Sequence, residues 1–490
     1  MKSPIHTYDA AGYLLSEGWY KDGFLHRDED EPAYTEYKDG KIVTQDWYIK
    51  GKHHRDNDKP AIIKYDNGTI VNKKWFLNGE IHRDNDQPAS IGYDNQGNIA
   101  HEEWYFKGFL HRGEDNPAVI LHDNKIKIIQ EWYVEGRKHR ENDKPAYLVT
   151  SSQDGHILHE RWYINGECHR DNDQPEDIRR DIDGNIIHEE WYLHGVLHRD
   201  EDKPSIRHYT NGNVIYEEWH HHGLIHRNDD KPALILYDDG KRKKEEWYIY
   251  GLKNRISYPS SVCYDPHGNV CYEAWHFNGK RHRDNDQPSV IHYEDTVITY
   301  EEWYINGLYH REYDKPSIIQ YNKFGNVVRE EWYKNGVLHR EDDKPAILEF
   351  DDYKNIRKKE WFMKGNRSRK DDKPSVIRYN YRRCVIREEW HMDGLYHRGD
   401  DKPAVIVYDD KGSIILEEWF SRGRYYFPRK HKVVGICHFC FVNTNLSLVS
   451  VDEHPYNLCY ECEDRVEDSN CPFCTTNLNS ELHRKIKRGG

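Results

Sequence analysis

The chain has 490 residues and a formal net charge of −14, with 72 Lys and Arg against 86 Asp and Glu; that balance disfavours a general grip on nucleic acid, which needs a basic surface to neutralise phosphates. Charged residues make up 32% of the sequence and the mean hydropathy is −1.06, a combination that alone would suggest disorder, but 15 Trp and 37 Tyr supply a core. No apolar run reaches the ~18 residues of a membrane span, and residues 1–10 lack the apolar stretch of a secretory signal. A soluble, intracellular protein is expected.

From the N-terminus onward, Trp recurs every 28 to 30 residues, from Trp19 to Trp419. A fixed period of this size marks a repeat architecture. Counting each Trp as zero, Gly stands at +4 in all copies, His at +7 in twelve of the fourteen complete copies, Arg at +8 in all fourteen, and Asp at +11 and Pro at +13 in thirteen each. Asn254 and Ser368 replace His, and the copy at Trp247 has Tyr258 for Asp and an early Pro259.

Two strands per repeat are predicted. The segment around Ile187–Leu193 alternates with period two, runs through Trp191 and stops at Gly195. The segment after Pro60 puts Ala61, Ile63 and Tyr65 on one face and closes at Asp66-Asn67-Gly68, a turn signal. Pro at the start of a strand is tolerated because no ladder N–H is needed there. One repeat cannot bury enough surface to fold alone, so neighbouring hairpins are expected to stack their aromatic faces. The expected fold is mainly β, an elongated meander of hairpins. The His-Arg-Asp triplet occurs a dozen times, whereas a catalytic triplet is needed once. It reads as a structural ladder, with Arg paired to Asp at +11 or to the Glu before the next Trp, and no catalytic residue is assigned.

The pattern WYxxGxxHRxxDxPAxIxY, seen at Trp47-Tyr48, Gly51, His54-Arg55, Asp58, Pro60-Ala61 and Tyr65, resembles MORN-type repeats. It is similar above all to long arrays encoded by giant DNA viruses, some of which end in a RING finger. The resemblance covers about residues 1–423. It implies a platform that binds a protein partner, in host cytoplasm if the chain is viral. Attachment to membrane lipid, known for MORN-like repeats, is disfavoured by the acidic balance.

After the array come an expected linker at 424–435, a cysteine-rich module at 436–476 and a basic tail at 477–490. The module reads Cys437-x2-Cys440-x18-Cys459-x2-Cys462-x8-Cys471-x2-Cys474, with His454 in the long gap. Three CxxC pairs and a His exceed the needs of one tetrahedral zinc, so two Zn2+ ions are expected. So small a module would take its folding energy from the metal.

The ligand order resembles a RING finger, with Cys471-Pro472-Phe473-Cys474 matching the closing CPxC. The resemblance implies one ion on Cys437, Cys440, Cys459 and Cys462, and a second on His454, Cys471 and Cys474. Where the family has another Cys, this chain has Asp452. Asp452, His438 and water are the candidates for the eighth ligand, and an incomplete site is the remaining option. The resemblance also implies recruitment of a ubiquitin-conjugating enzyme, with Phe439 as apolar contact, and hence ligase activity by scaffolding. Thr475 stands where active members often carry a cation. The alternative is a non-enzymatic scaffold whose zinc module mediates assembly alone.

Overall fold

The computed structural model describes residues 4–123 and 127–426, together with the backbone of three further strands, Val433–Ile436, Asn443–Val451 and His454–Cys459. Among the described residues every regular element is a β-strand. The chain divides into two compact units between Asn269 and Val270. In each unit the long strands form an antiparallel meander in chain order, from Ile5–Tyr8 to Ser261–Tyr264 in the first and from Val270–Ala274 to Ile414–Glu418 in the second.

One repeat shows the plan. Ile62–Asp66 and Thr69–Lys74 form a hairpin around Asn67-Gly68, both at positive φ, with a bulge between Ile70 and Asn72. The outer edges of this hairpin pair with Lys41–Asp46 on one side and Ser90–Tyr93 on the other. Neighbouring hairpins are therefore joined edge to edge by backbone hydrogen bonds, as in the expected meander, and aromatic rings also meet between repeats, as in Tyr309 and Tyr333 at 5.0 Å. Edge pairing satisfies the N–H and C=O rows that an isolated hairpin would leave open.

The strand predicted through Trp191 is broken there. Ile186–Glu190 belongs to the long sheet, whereas Tyr192–Leu193 pairs with Val196–Leu197 in a separate short arm. Trp191 is the pivot: its N–H donates to Ser205 O at 2.8 Å in the long sheet, and its C=O accepts from His198 N at 3.1 Å in the arm. Each repeat thus has two long and two short strands. The arm turns on the residue pair at +3 and +4, such as Lys50 (φ 48°) and Gly51 (φ 76°), the geometry of a type I′ turn.

Burial is distributed. Trp47, Trp75 and Trp104 are each 7% exposed, and Ala61, Ala89 and Ala118 are fully buried at +14. Small clusters such as Trp219, Ala233 and Ile235, flanked by Ile225, Tyr237 and Tyr248, recur at junctions between repeats. No helix among the described residues is long and apolar enough to cross a membrane.

Candidate functional site

The repeated triplet forms a clamp across most junctions. Trp332 Nε1 donates to the backbone carbonyl of Asp314 at 3.0 Å, and Arg340 lies over the Trp332 ring at 3.8 Å. Arg340 then donates from Nε and one Nη to both carboxylate oxygens of Asp314, at 2.7 and 3.1 Å, and from its other Nη to Pro345 O at 3.3 Å. Asp314 belongs to the preceding repeat. The ladder therefore runs between repeats, 26 residues apart, and not within one as the sequence suggested.

The reason is local. The residues at +10 and +11, Tyr313 and Asp314, are both left-handed (φ 61° and 55°) and turn the Asp toward the next repeat. Asn and Asp tolerate that conformation best, which accounts for their abundance in this loop. Arg340 and Lys344 beside Asp314 hold its carboxyl down to about 2, with burial opposing. Arg283 is an exception: it stacks on Trp275 at 3.6 Å and donates to Pro288 O, but has no carboxylate partner among the described residues.

The histidine at +7 is a second tie. His54 Nδ1 accepts from Asn78 N of the following arm at 3.2 Å, which leaves Nε2 to donate to Asp56 at 3.1 Å. Where Ser368 replaces His, Arg369 still grips Asp343 at 2.7 and 2.9 Å. The arginine clamp is thus independent of the histidine. Among the described residues, no group of three or more His, Cys, Asp or Glu is placed to hold a metal ion.

One junction departs from the pattern. At Trp162 the fully buried Ala or Ser of +14 becomes Glu176, the usual aliphatic residue of +15 becomes Asp177, and the usual Glu before the Trp becomes Arg161. Asp177 is fully buried and accepts from His159 Nε2 at 3.0 Å and Arg179 Nε at 3.1 Å, with Arg161 Nε at 3.4 Å. Burial pushes its carboxyl up, but these partners outweigh it and hold the pKa below the ordinary value.

Glu176 accepts from Arg170 N at 3.1 Å and Tyr192 N at 2.7 Å, yet burial dominates and raises it to about 7. Burial likewise lifts the nearby Cys168 thiol to about 11, so it stays protonated at neutral pH. The His159–Asp177 pair has the form of an acid–base dyad. No hydroxyl or thiol is hydrogen-bonded to His159 among the described residues, so it lacks a nucleophile.

Of the expected zinc ligands, His454 and Cys459 lie on the strand His454–Cys459, where His454 is paired with Val451 and Cys459 with Leu446. Cys437, Cys440, Cys462, Cys471, Cys474, Asp452 and the contact residue Phe439 lie outside the described residues. Sequence reasoning passed over the Trp162 junction, although its signal was present: Glu176-Asp177 interrupts a run of Ala or Ser followed by an aliphatic residue.

No family model matches this chain, and no curated protein does. Among solved structures, a chain in the crystal structure of TcdB2-TccC3-TEV aligns at 12% identity over 92% of this chain, with a TM-score of 0.12. This chain spans 27% of that one. A TM-score so low contributes nothing to the reading of fold or function.

Proposed function

We propose that the chain is a protein-interaction platform joined to a zinc-binding RING-type module that recruits a ubiquitin-conjugating enzyme. The cysteine spacing from Cys437 to Cys474 with His454 in its gap carries this reading. Cys437, Cys440, Cys459 and Cys462 would hold one Zn2+ ion. His454, Cys471 and Cys474, completed by Asp452, would hold the other. Thiolate and imidazole ligands suit a tetrahedral zinc, and the metal supplies folding energy to so short a segment. The repeated clamp supports the platform half: a dozen copies build a frame, and no copy isolates a nucleophile.

Transfer would need no group of this chain to attack ubiquitin, only a surface that holds the charged enzyme, with Phe439 as its apolar contact. Purified full-length chain with ubiquitin, activating enzyme and a panel of conjugating enzymes should form ubiquitin chains. Cys437→Ser, Cys471→Ser and removal of residues 430–490 should each abolish them. Unchanged activity in these variants would reject the ligase reading. Thr475 in place of a cation favours a second reading, in which the zinc module mediates assembly alone. That reading predicts zinc binding without ubiquitin transfer.

A further inference from the structure

The long sheet carries one row of side chains that does not repeat. Three residues before the Trp, from Trp47 to Trp191, the chain reads Thr44, Asn72, His101, Ile129, His159 and His188 in six successive repeats of the first unit. These positions pair in register with the residue at +17, as in Ile129 with Val149 and His159 with Arg179. Everything that ties one repeat to the next is held nearly constant while this row changes chemistry. A row of changing chemistry on a constant frame gives each junction its own surface, on which a non-repeating partner can be distinguished.

At the Trp162 junction the row opens into a cleft of about 530 Å³. Its lining includes the aliphatic Ile129, Val149 and Ile182, the cationic Lys127 and Arg179, and His159, and no carboxylate among the described residues lines it. Arg179 spends only Nε on Asp177, so its guanidinium keeps further N–H groups for a ligand. The buried Asp177 fixes His159 and Arg179 from beneath, which pre-organises their outward faces. The lining comes from strands that follow one another in the sheet between Lys127–Glu131 and Ile186–Glu190. Four strand spacings make ~19 Å, about six extended residues, far longer than a small anion.

We propose that this cleft receives an extended acidic segment of a partner protein, an aliphatic side chain on Ile129 and Val149 and carboxylates on Lys127 and Arg179. The proposal rests on the platform reading and names the chemistry of its partner. A fluorescein-labelled decapeptide alternating Leu and Glu is the probe, with fluorescence anisotropy on the full-length chain as the readout. Lys127→Glu and Ile182→Glu alter side chains that are exposed, Ile182 by 74%, so both variants should melt as the parent does. Each should weaken binding at least tenfold, and Arg378→Glu, on the corresponding row of the second unit, should leave it unchanged. A Leu–Lys decapeptide should not bind.

Absence of binding by the parent, equal binding by Lys127→Glu, or equal loss in Arg378→Glu would overturn the assignment. The platform reading is tested apart from it, by cross-linking the full-length chain in cell extract. Cross-links from a partner to array residues outside this cleft would keep that reading while the cleft fails. No cross-link to any array residue would reject both.

Discussion

Arg340 does three things at once: it stacks on its own Trp, grips the Asp of the preceding repeat with two hydrogen bonds, and closes the loop at Pro345. Lysine keeps the charge but has neither the planar face nor the fork. Arg340→Lys should therefore lower stability by about 1 kcal/mol, the scale of a cation–π contact. A double-mutant cycle with Asp314→Asn in urea should give a coupling of about 0.5–1.5 kcal/mol. A coupling near zero would confine the effect to the Trp face. The His-Arg-Asp recurrence was legible in the sequence and its structural role with it. The partner was not, because two left-handed residues send the Asp into the neighbouring repeat. Glu176 makes the opposite kind of prediction. Its pKa is raised from an ordinary 4.5 to about 7, so the folded state holds a proton that the unfolded state has released. Stability contributed by the protonated form is full below about 4.5 and is lost as pH rises to about 7. The denaturation midpoint should thus fall across that window, and Glu176→Ala, which restores the residue of other repeats, should flatten the slope. An unaltered slope would show that Glu176 ionises normally.

The arms link to one another as well as to the sheet. Gly51 N donates to Leu25 O at 2.9 Å, and Gly79 N to His53 O at 2.9 Å, so the glycine at +4 is both a turn residue and a junction. A Cβ on Gly51 would lie 3.0 Å from Phe24 Cδ1 of the preceding arm, whereas one on Gly40, at a similar φ of 73°, would meet nothing within 4 Å. Gly40→Ala should cost only the left-handed penalty, about 1 kcal/mol. Gly51→Ala should cost about twice that, because Phe24 must also move. Equal losses in thermal melts would mean that adjacent arms give way freely. The sequence announced the arm's turn through Gly at +4 and the sheet strand through Pro at +13. It hid the break at Trp191, because period-two alternation continues smoothly across a residue whose N–H and C=O serve two different hairpins.

Because the ties at a junction join adjacent repeats, stability in the array is set by nearest neighbours, and a local change is felt chiefly by the adjoining repeats. The proposed zinc module would draw its folding energy from a different source, the metal itself. The two can be separated by a single reporter, since all 15 Trp stand at or before Trp419 and none follows it. Purified chain should contain two Zn2+ per molecule by elemental analysis. Stripping the metal with chelator should leave the Trp emission spectrum and the array's melting temperature within about 1 °C of the starting value, because a structural zinc stabilises only what folds around it. The same treatment should make the six cysteines between Cys437 and Cys474 open to alkylation, while the buried Cys168, held as a thiol by its surroundings, should stay protected. Six cysteines that alkylate without chelator, or a metal content well below one, would remove the zinc module and the ligase reading with it. A fall in array stability on chelation would instead show that the metal supports the repeats, which nearest-neighbour energetics does not allow.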